Sequence, residues 1–162
     1  MAFRAKDLAA IGGFGSIREY LADDYQLGAR IAALGKRIAM CDSVVVTNLG
    51  AGSWRDVWKH QVRWSRTIRI SRPAGYFGYL ATQLTFWSLI AAVCGYPWTA
   101  SLGIVVRLAA CWRVAGMTQL LVVPLRDLFG FAVWCAGLAG NVVEWRGTRF
   151  RVLPDGRMRP LP

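Results

Sequence analysis

The chain has 162 residues, the length of one domain or of one domain with an appendage. Its net charge of +11 points to nucleic acid or anionic lipid as a partner. However, 55% apolar residues, eight Trp and a mean hydropathy of +0.33 exclude a disordered basic tail, disfavour a soluble nucleic-acid-binding domain, and favour a membrane protein with a basic cytoplasmic face.

The N-terminus lacks the apolar core of a signal peptide and opens directly into helix-like sequence, as if something upstream were missing. Arg4 to Ala10 reads as a short helix stopped by Gly12-Gly13. Next comes Tyr20-Leu-Ala-Asp-Asp-Tyr25, whose adjacent carboxylates Asp23 and Asp24 suit the positive end of a helix dipole. One of them could also act as a general base. Asp24 to Leu34 has helical spacing through Leu27, Ile31 and Leu34, with Gly35 placed to end it. Arg37 to Met40 and Val44 to Thr47 read as strands around an Asp-Ser turn. The chain before Pro73 is thus expected to hold a small α/β piece, too small for a nucleotide-binding sheet and without a GxGxxG or Walker loop.

Ser53 to Arg69 is the most informative local pattern. Ser53 and Asp56 fit a capping box. On a helix, Trp54, Val57, Trp58, Trp64 and Ile68 share one face, and Arg55, Lys59, Arg63 and Arg66 the other. Such a helix suits a headgroup plane and the binding of anionic lipid, with Arg63 farthest from the apolar face. Pro73 ends it, and no charge occurs anywhere from Pro73 to Val106. Tyr76 to Cys94 is expected to span a membrane, with Gly95-Tyr96-Pro97 as the turn to a second span from Trp98. Arg107 and Arg113 interrupt that second span. Leu128 to Val143, short for a full crossing, is a third span or a re-entrant helix. The tail from Glu144 carries five Arg and a β-like Thr148 to Val152. The four Cys form no CxxC pair, and His60 is the single histidine, so the chain offers no multi-His metal site.

The ordered set Ile11-Gly-Gly-Phe14, Tyr20-Leu-Ala-Asp-Asp-Tyr25, His60-Gln-Val-Arg-Trp64, apolar runs and Trp145-Arg-Gly-Thr-Arg-Phe-Arg151 resembles the C-terminal half of the ceramide glucosyltransferase family. It looks most like the bacterial members associated with hopanoid biosynthesis. The resemblance implies an inverting hexosyltransferase that uses a nucleotide sugar donor and a lipid acceptor. It assigns the catalytic base to Asp24, with Asp23 as its neighbour. It puts Arg63 on the donor diphosphate and Trp64 at the acceptor, while His60 stands where the family has Gln or Arg. Family members also carry an N-terminal half with an Asp-x-Asp motif for Mg or Mn, and no Asp-x-Asp occurs here. The chain is therefore read as an N-terminally truncated fragment that binds no metal and is inactive alone.

The resulting expectation is an α/β fragment of a GT-A-like domain, followed by an amphipathic interfacial helix and an α-helical transmembrane region. Residues 1–52 would close the catalytic domain, 53–72 form the interfacial helix, 73–143 hold two or three spans, and 144–162 form a basic tail. Nucleic acid is not expected as a partner. The expected location is integral to a bacterial inner membrane, with the catalytic part cytoplasmic. A piece of a processive glycan synthase and a non-enzymatic membrane-anchored remnant are the alternatives.

Overall fold

The computed structural model describes residues 1–42, 50, 52–112, 117–145 and 147–162. It divides into two compact units, Met1–Ser71 with Gly140–Pro162, and Arg72–Ala139.

The first unit begins with α1 (Ala5–Ala10), ended by Gly12 at φ +87°, whose neighbour Gly13 returns its N–H to the Leu8 carbonyl. Helix α2 (Asp23–Ala33) starts on the acidic pair and ends at Gly35, in the left-handed region as its position demands. Helix α3 (Trp54–Ser71) opens on the expected capping box: Ser53 accepts the Asp56 N–H and donates to the Asp56 carboxylate. Three antiparallel strands close the unit, β1 (Val142–Trp145), β2 (Thr148–Val152) and β3 (Met158–Pro160), in that spatial order. Val152 and Val143 are buried in this sheet, and Ile17, Leu27 and Val62 are buried on the elements before it.

The sheet ties together segments far apart in sequence. At one edge, Tyr20 bridges Arg157, the Leu21 N–H reaches the Gly156 carbonyl, and the Met158 N–H reaches the Glu19 carbonyl. At the other end, Arg66 and Arg69 of α3 donate to the carbonyls of Val142 and Gly140. The acidic segment and the basic helix are thereby joined through the C-terminal end of the chain.

The second unit contains α4 (Pro73–Gly78), α5 (Leu84–Val93), α6 (Pro97–Trp112), α7 (Met117–Leu120) and α8 (Val123–Leu138). Helices α5 and α6 form a hairpin about Gly95, at φ +85°. Tyr76 stacks on Trp134 at 5.5 Å, Trp134 on Phe131 at 5.9 Å and Phe131 on Phe86 at 4.0 Å, which joins α4, α8 and α5. Arg107 makes a two-point pair with Asp127 at 2.7 Å, and Thr85 donates to the same carboxylate.

Two parts of the expected fold are corrected. First, the α/β piece fails: Arg37 to Met40 form no strand, and Val44 to Thr47 lie outside the described residues. Ile38 is the one β-branched residue among those four, and no described strand lies beside them to satisfy their backbone. The strands lie instead near the C-terminus. Second, no helix among the described residues is long and apolar enough to cross a membrane. The expected first span breaks at Gln83, leaving α5 with 10 residues. That is about 15 Å, against about 30 Å of hydrocarbon. Helix α6 has 16 residues and carries Arg107, whose charge is used on Asp127. The third stretch ends at Leu138, because the chain turns at Gly140 (φ +74°) and Val142-Val143 enter β1.

Candidate functional site

Helix α3 leaves Arg55 and Lys59 exposed but half-buries Arg63 and Arg66, unlike the fully solvated cationic face that the amphipathic pattern alone suggests. Its buried side is Val62 and Ser65, one turn apart, while Trp54, Trp64 and Ile68 are exposed. The basic stripe beside Val62 therefore faces the β1–β2 hairpin. Between them lies an open groove of about 670 Å³. Lys59, His60, Arg63 and Arg66 line it from the helix, and Glu144, Trp145 and Arg149 from the hairpin.

Within the groove, Arg63 Nη2 lies 3.3 Å from His60 Nδ1. Guanidinium has no acceptor, so Nδ1 accepts and the ring proton sits on Nε2. Burial first, and the Arg63 charge second, hold the His60 pKa below its ordinary value. His60 also packs against Trp64, with ring centroids 5.4 Å apart, although Trp64 lies outside the groove lining. The groove's acids are engaged: Asp56 in the capping box, and Glu144 with Lys59 at 3.7 Å. What remains is a half-open cavity with cations on both walls, suited to a multivalent anion.

Asp23 and Asp24 occupy the first turn of α2, both exposed, with Ala22 as the N-cap. Neither carboxylate is the cap, and both lie at the positive end of the helix dipole, as the sequence suggests. Asp23 Oδ1 accepts the Asp24 N–H, and Asp24 Oδ1 accepts the Tyr25 N–H. Among the described residues, no three His, Cys, Asp or Glu side chains gather as metal ligands, so the acidic pair does not fit a metal centre by itself.

The structure thus brings His60 and Arg63 together in the groove and leaves Trp64 at its margin. It connects the segment carrying Asp23 and Asp24 to the same unit through β3. Sequence reasoning missed Lys59, Arg66, Glu144 and Arg149 as groove residues. The signal was present in the Trp145 to Arg151 motif, but its 76-residue separation from α3, as in the Arg66–Val142 bond, hid the pairing.

No curated protein and no solved structure matches the chain significantly. The family model for glycosyl transferase family 21, the ceramide glucosyltransferase family, matches residues 1–158. That match takes in the acidic pair, the basic helix and the hairpin alike, and the chain belongs to glycosyl transferase family 21.

Proposed function

We propose that the protein transfers a hexose from a nucleotide sugar to the hydroxyl of a membrane lipid, ceramide- or hopanoid-like, with inversion at the anomeric carbon. The observation that carries this reading is the cationic groove between α3 and the hairpin, in a chain that belongs to a glycosyltransferase family. In this scheme Asp24 takes the acceptor's proton on Oδ2, since Oδ1 is held by the Tyr25 N–H. The freed oxygen bonds to the anomeric carbon. The bond from that carbon to the donor phosphate breaks, and its electron pair leaves with the diphosphate. Arg63 receives the growing charge on the leaving group, and His60 orients the Arg63 fork. Asp23 supports Asp24 by fixing its backbone N–H. Trp64, exposed beside His60, offers an aromatic face to the acceptor.

No three His, Cys, Asp or Glu side chains gather among the described residues, and the steps above are assigned to protein side chains alone. Mg or Mn, if bound, would sit on the donor diphosphate and neutralise its charge, and no described residue is assigned to hold it. Exposed Trp54, Trp64 and Ile68 on α3, and exposed apolar side chains on α5 and α6, support residence at a lipid surface with anionic headgroups. The proposed location is the cytoplasmic face of a bacterial inner membrane.

The test is hexose incorporation into extractable lipid by membranes expressing the intact gene. Asp24→Asn is expected to lower the rate by about 10²–10⁴, with Asp23→Asn less affected. Unchanged turnover in both variants would reduce the acidic pair to a helix terminus and end the catalytic reading.

A further inference from the structure

The hairpin wall of the groove has no role in the scheme above. Its turn is tight: Trp145 pairs with Thr148, and Gly147 at φ +79° permits the reversal. That register sets Arg149 directly across the ladder from Glu144. A cross-strand ion pair is the ordinary outcome for two such residues. It does not form here, because the Glu144 carboxylate lies on Lys59 of α3. Arg66, the other helix cation in reach, already donates to the Val142 carbonyl. Arg149 makes no side-chain hydrogen bond or ion pair among the described residues, yet it lines the groove. An uncommitted guanidinium therefore stands on one wall, and Arg63 on the other.

We propose that Arg149 is a second diphosphate-binding residue, gripping from the hairpin the anion that Arg63 meets from the helix. This rests on reading the groove as the site of the donor diphosphate. A pyrophosphate group carries oxygens on two phosphorus atoms, so two planar forks on facing walls can each take a pair of them. A lone helix arginine would hold one phosphate and leave the other to solvent. The hairpin therefore selects a diphosphate over a single phosphate. The Lys59–Glu144 pair is a positioning contact that leaves Arg149 without its cross-strand acid.

Inorganic pyrophosphate is the probe, titrated into the 162-residue protein by calorimetry and followed at the single imidazole, His60. Arg149→Gln is expected to weaken pyrophosphate binding about tenfold or more, and to leave the weaker binding of orthophosphate nearly unchanged. Arg159→Gln removes the same charge from the neighbouring strand, outside the groove lining, and is expected to bind as the wild type does. Should Arg149→Gln fail to fold, Arg149→Lys carries the test, since a point charge cannot reproduce the fork; wild-type affinity in it would overturn the proposal. Equal weakening by Arg159→Gln would also overturn it, since net charge alone would then be at work. If Arg63→Gln loses pyrophosphate while Arg149→Gln keeps it, the hairpin assignment falls and the proposed function stands. If pyrophosphate binds through Arg149 but no lipid is ever glycosylated, the proposed function falls and this site stands. No binding by the wild-type protein overturns the inference.

Discussion

At the residue scale, His60 is where chemistry and position can be read most directly. Its Nδ1 lone pair faces Arg63, so protonation would remove an acceptor and set two cations 3.3 Å apart. Asp56, Lys59 and Arg66 from α3, and Glu144 and Arg149 from the hairpin, line the same groove, and their balance is net positive. The imidazole pKa is accordingly lowered, by burial first and Arg63 second. The direction fixes the linkage. Above the ordinary value near 6.5, folded and unfolded states both hold a neutral ring, and His60 contributes nothing. As pH falls below that value, the unfolded state takes the proton first, and stability declines until the folded pKa is passed. A proton NMR titration of the free protein should give a midpoint below 6.5. Arg63→Gln should move it part of the way back, because burial remains, and saturating pyrophosphate should raise it. A midpoint above 6.5 without any anion would contradict the described ring environment. The position of His60 within the Arg-Trp motif was legible in the sequence. Its contact with Arg63 follows from their i, i+3 spacing on one helix, whereas the Arg149 wall of the groove was not legible, since it depends on a hairpin formed much later in the chain.

At the element scale, local signals were read well and long-range ones poorly. The glycine stops at Gly12 and Gly35, the Ser53–Asp56 box, the Gly95 turn and the β-like Thr148 to Val152 all rest on contacts within a short stretch of chain, and all appear in the structure. The spans failed because an uncharged run says nothing of where it breaks. Gln83 is buried at the break, and Arg107 with Asp127 converts two isolated charges into an internal tie between α6 and α8. Burial alone would raise the Asp127 pKa, but the hydrogen bonds from Arg107 and Thr85 outweigh it and lower it. The α5–α6 contact is also specific. A Cβ at Gly103 would clash with Ser88 Oγ, a buried hydroxyl with no hydrogen-bond partner among the described residues. Two effects then compete in Gly103→Ala. Helix propensity gains about 1 kcal/mol, while overpacking costs about 1–3 kcal/mol. We expect Gly103→Ala alone to be destabilising by up to about 2 kcal/mol. Adding Ser88→Ala removes both the clash and the unpaired hydroxyl, so the double variant should exceed the wild type in thermal midpoint. If the two changes merely add, the close approach of α5 and α6 is not what constrains residue 103.

At the scale of the whole molecule, charge is segregated by unit. Arg72 to Ala139 holds four of the twenty basic residues and one of the nine acidic ones, and the rest lie in the other unit. Within the helical unit an apolar core that includes Tyr76, Val123, Val133 and Trp134 coexists with buried polar and exposed apolar side chains. Gln83, Thr85 and Ser88 are buried, whereas Val93, Trp98 and Leu121 are 88%, 86% and 87% exposed. Small or polar residues between helices and large apolar ones outside is the arrangement favoured where the surroundings are hydrocarbon. On monomeric proteins in water, contiguous apolar patches larger than a few hundred Å² are rare. No described helix is long and apolar enough to cross a membrane, and the lipid contact proposed above does not require one. Under that proposal the basic unit would add attraction to anionic headgroups, which salt screens, while burial of apolar side chains survives salt. The protein should therefore float with anionic vesicles, and about 1 M salt should weaken that association without abolishing it. Burying one large side chain is worth about 1.5–3 kcal/mol, so Trp98→Ser should lower partitioning about tenfold or more. Release of the protein by salt alone would mean that the cations do all the binding. A monodisperse monomer that ignores both detergent and vesicles would show that the exposed faces are covered by the protein itself, and the membrane reading would end there.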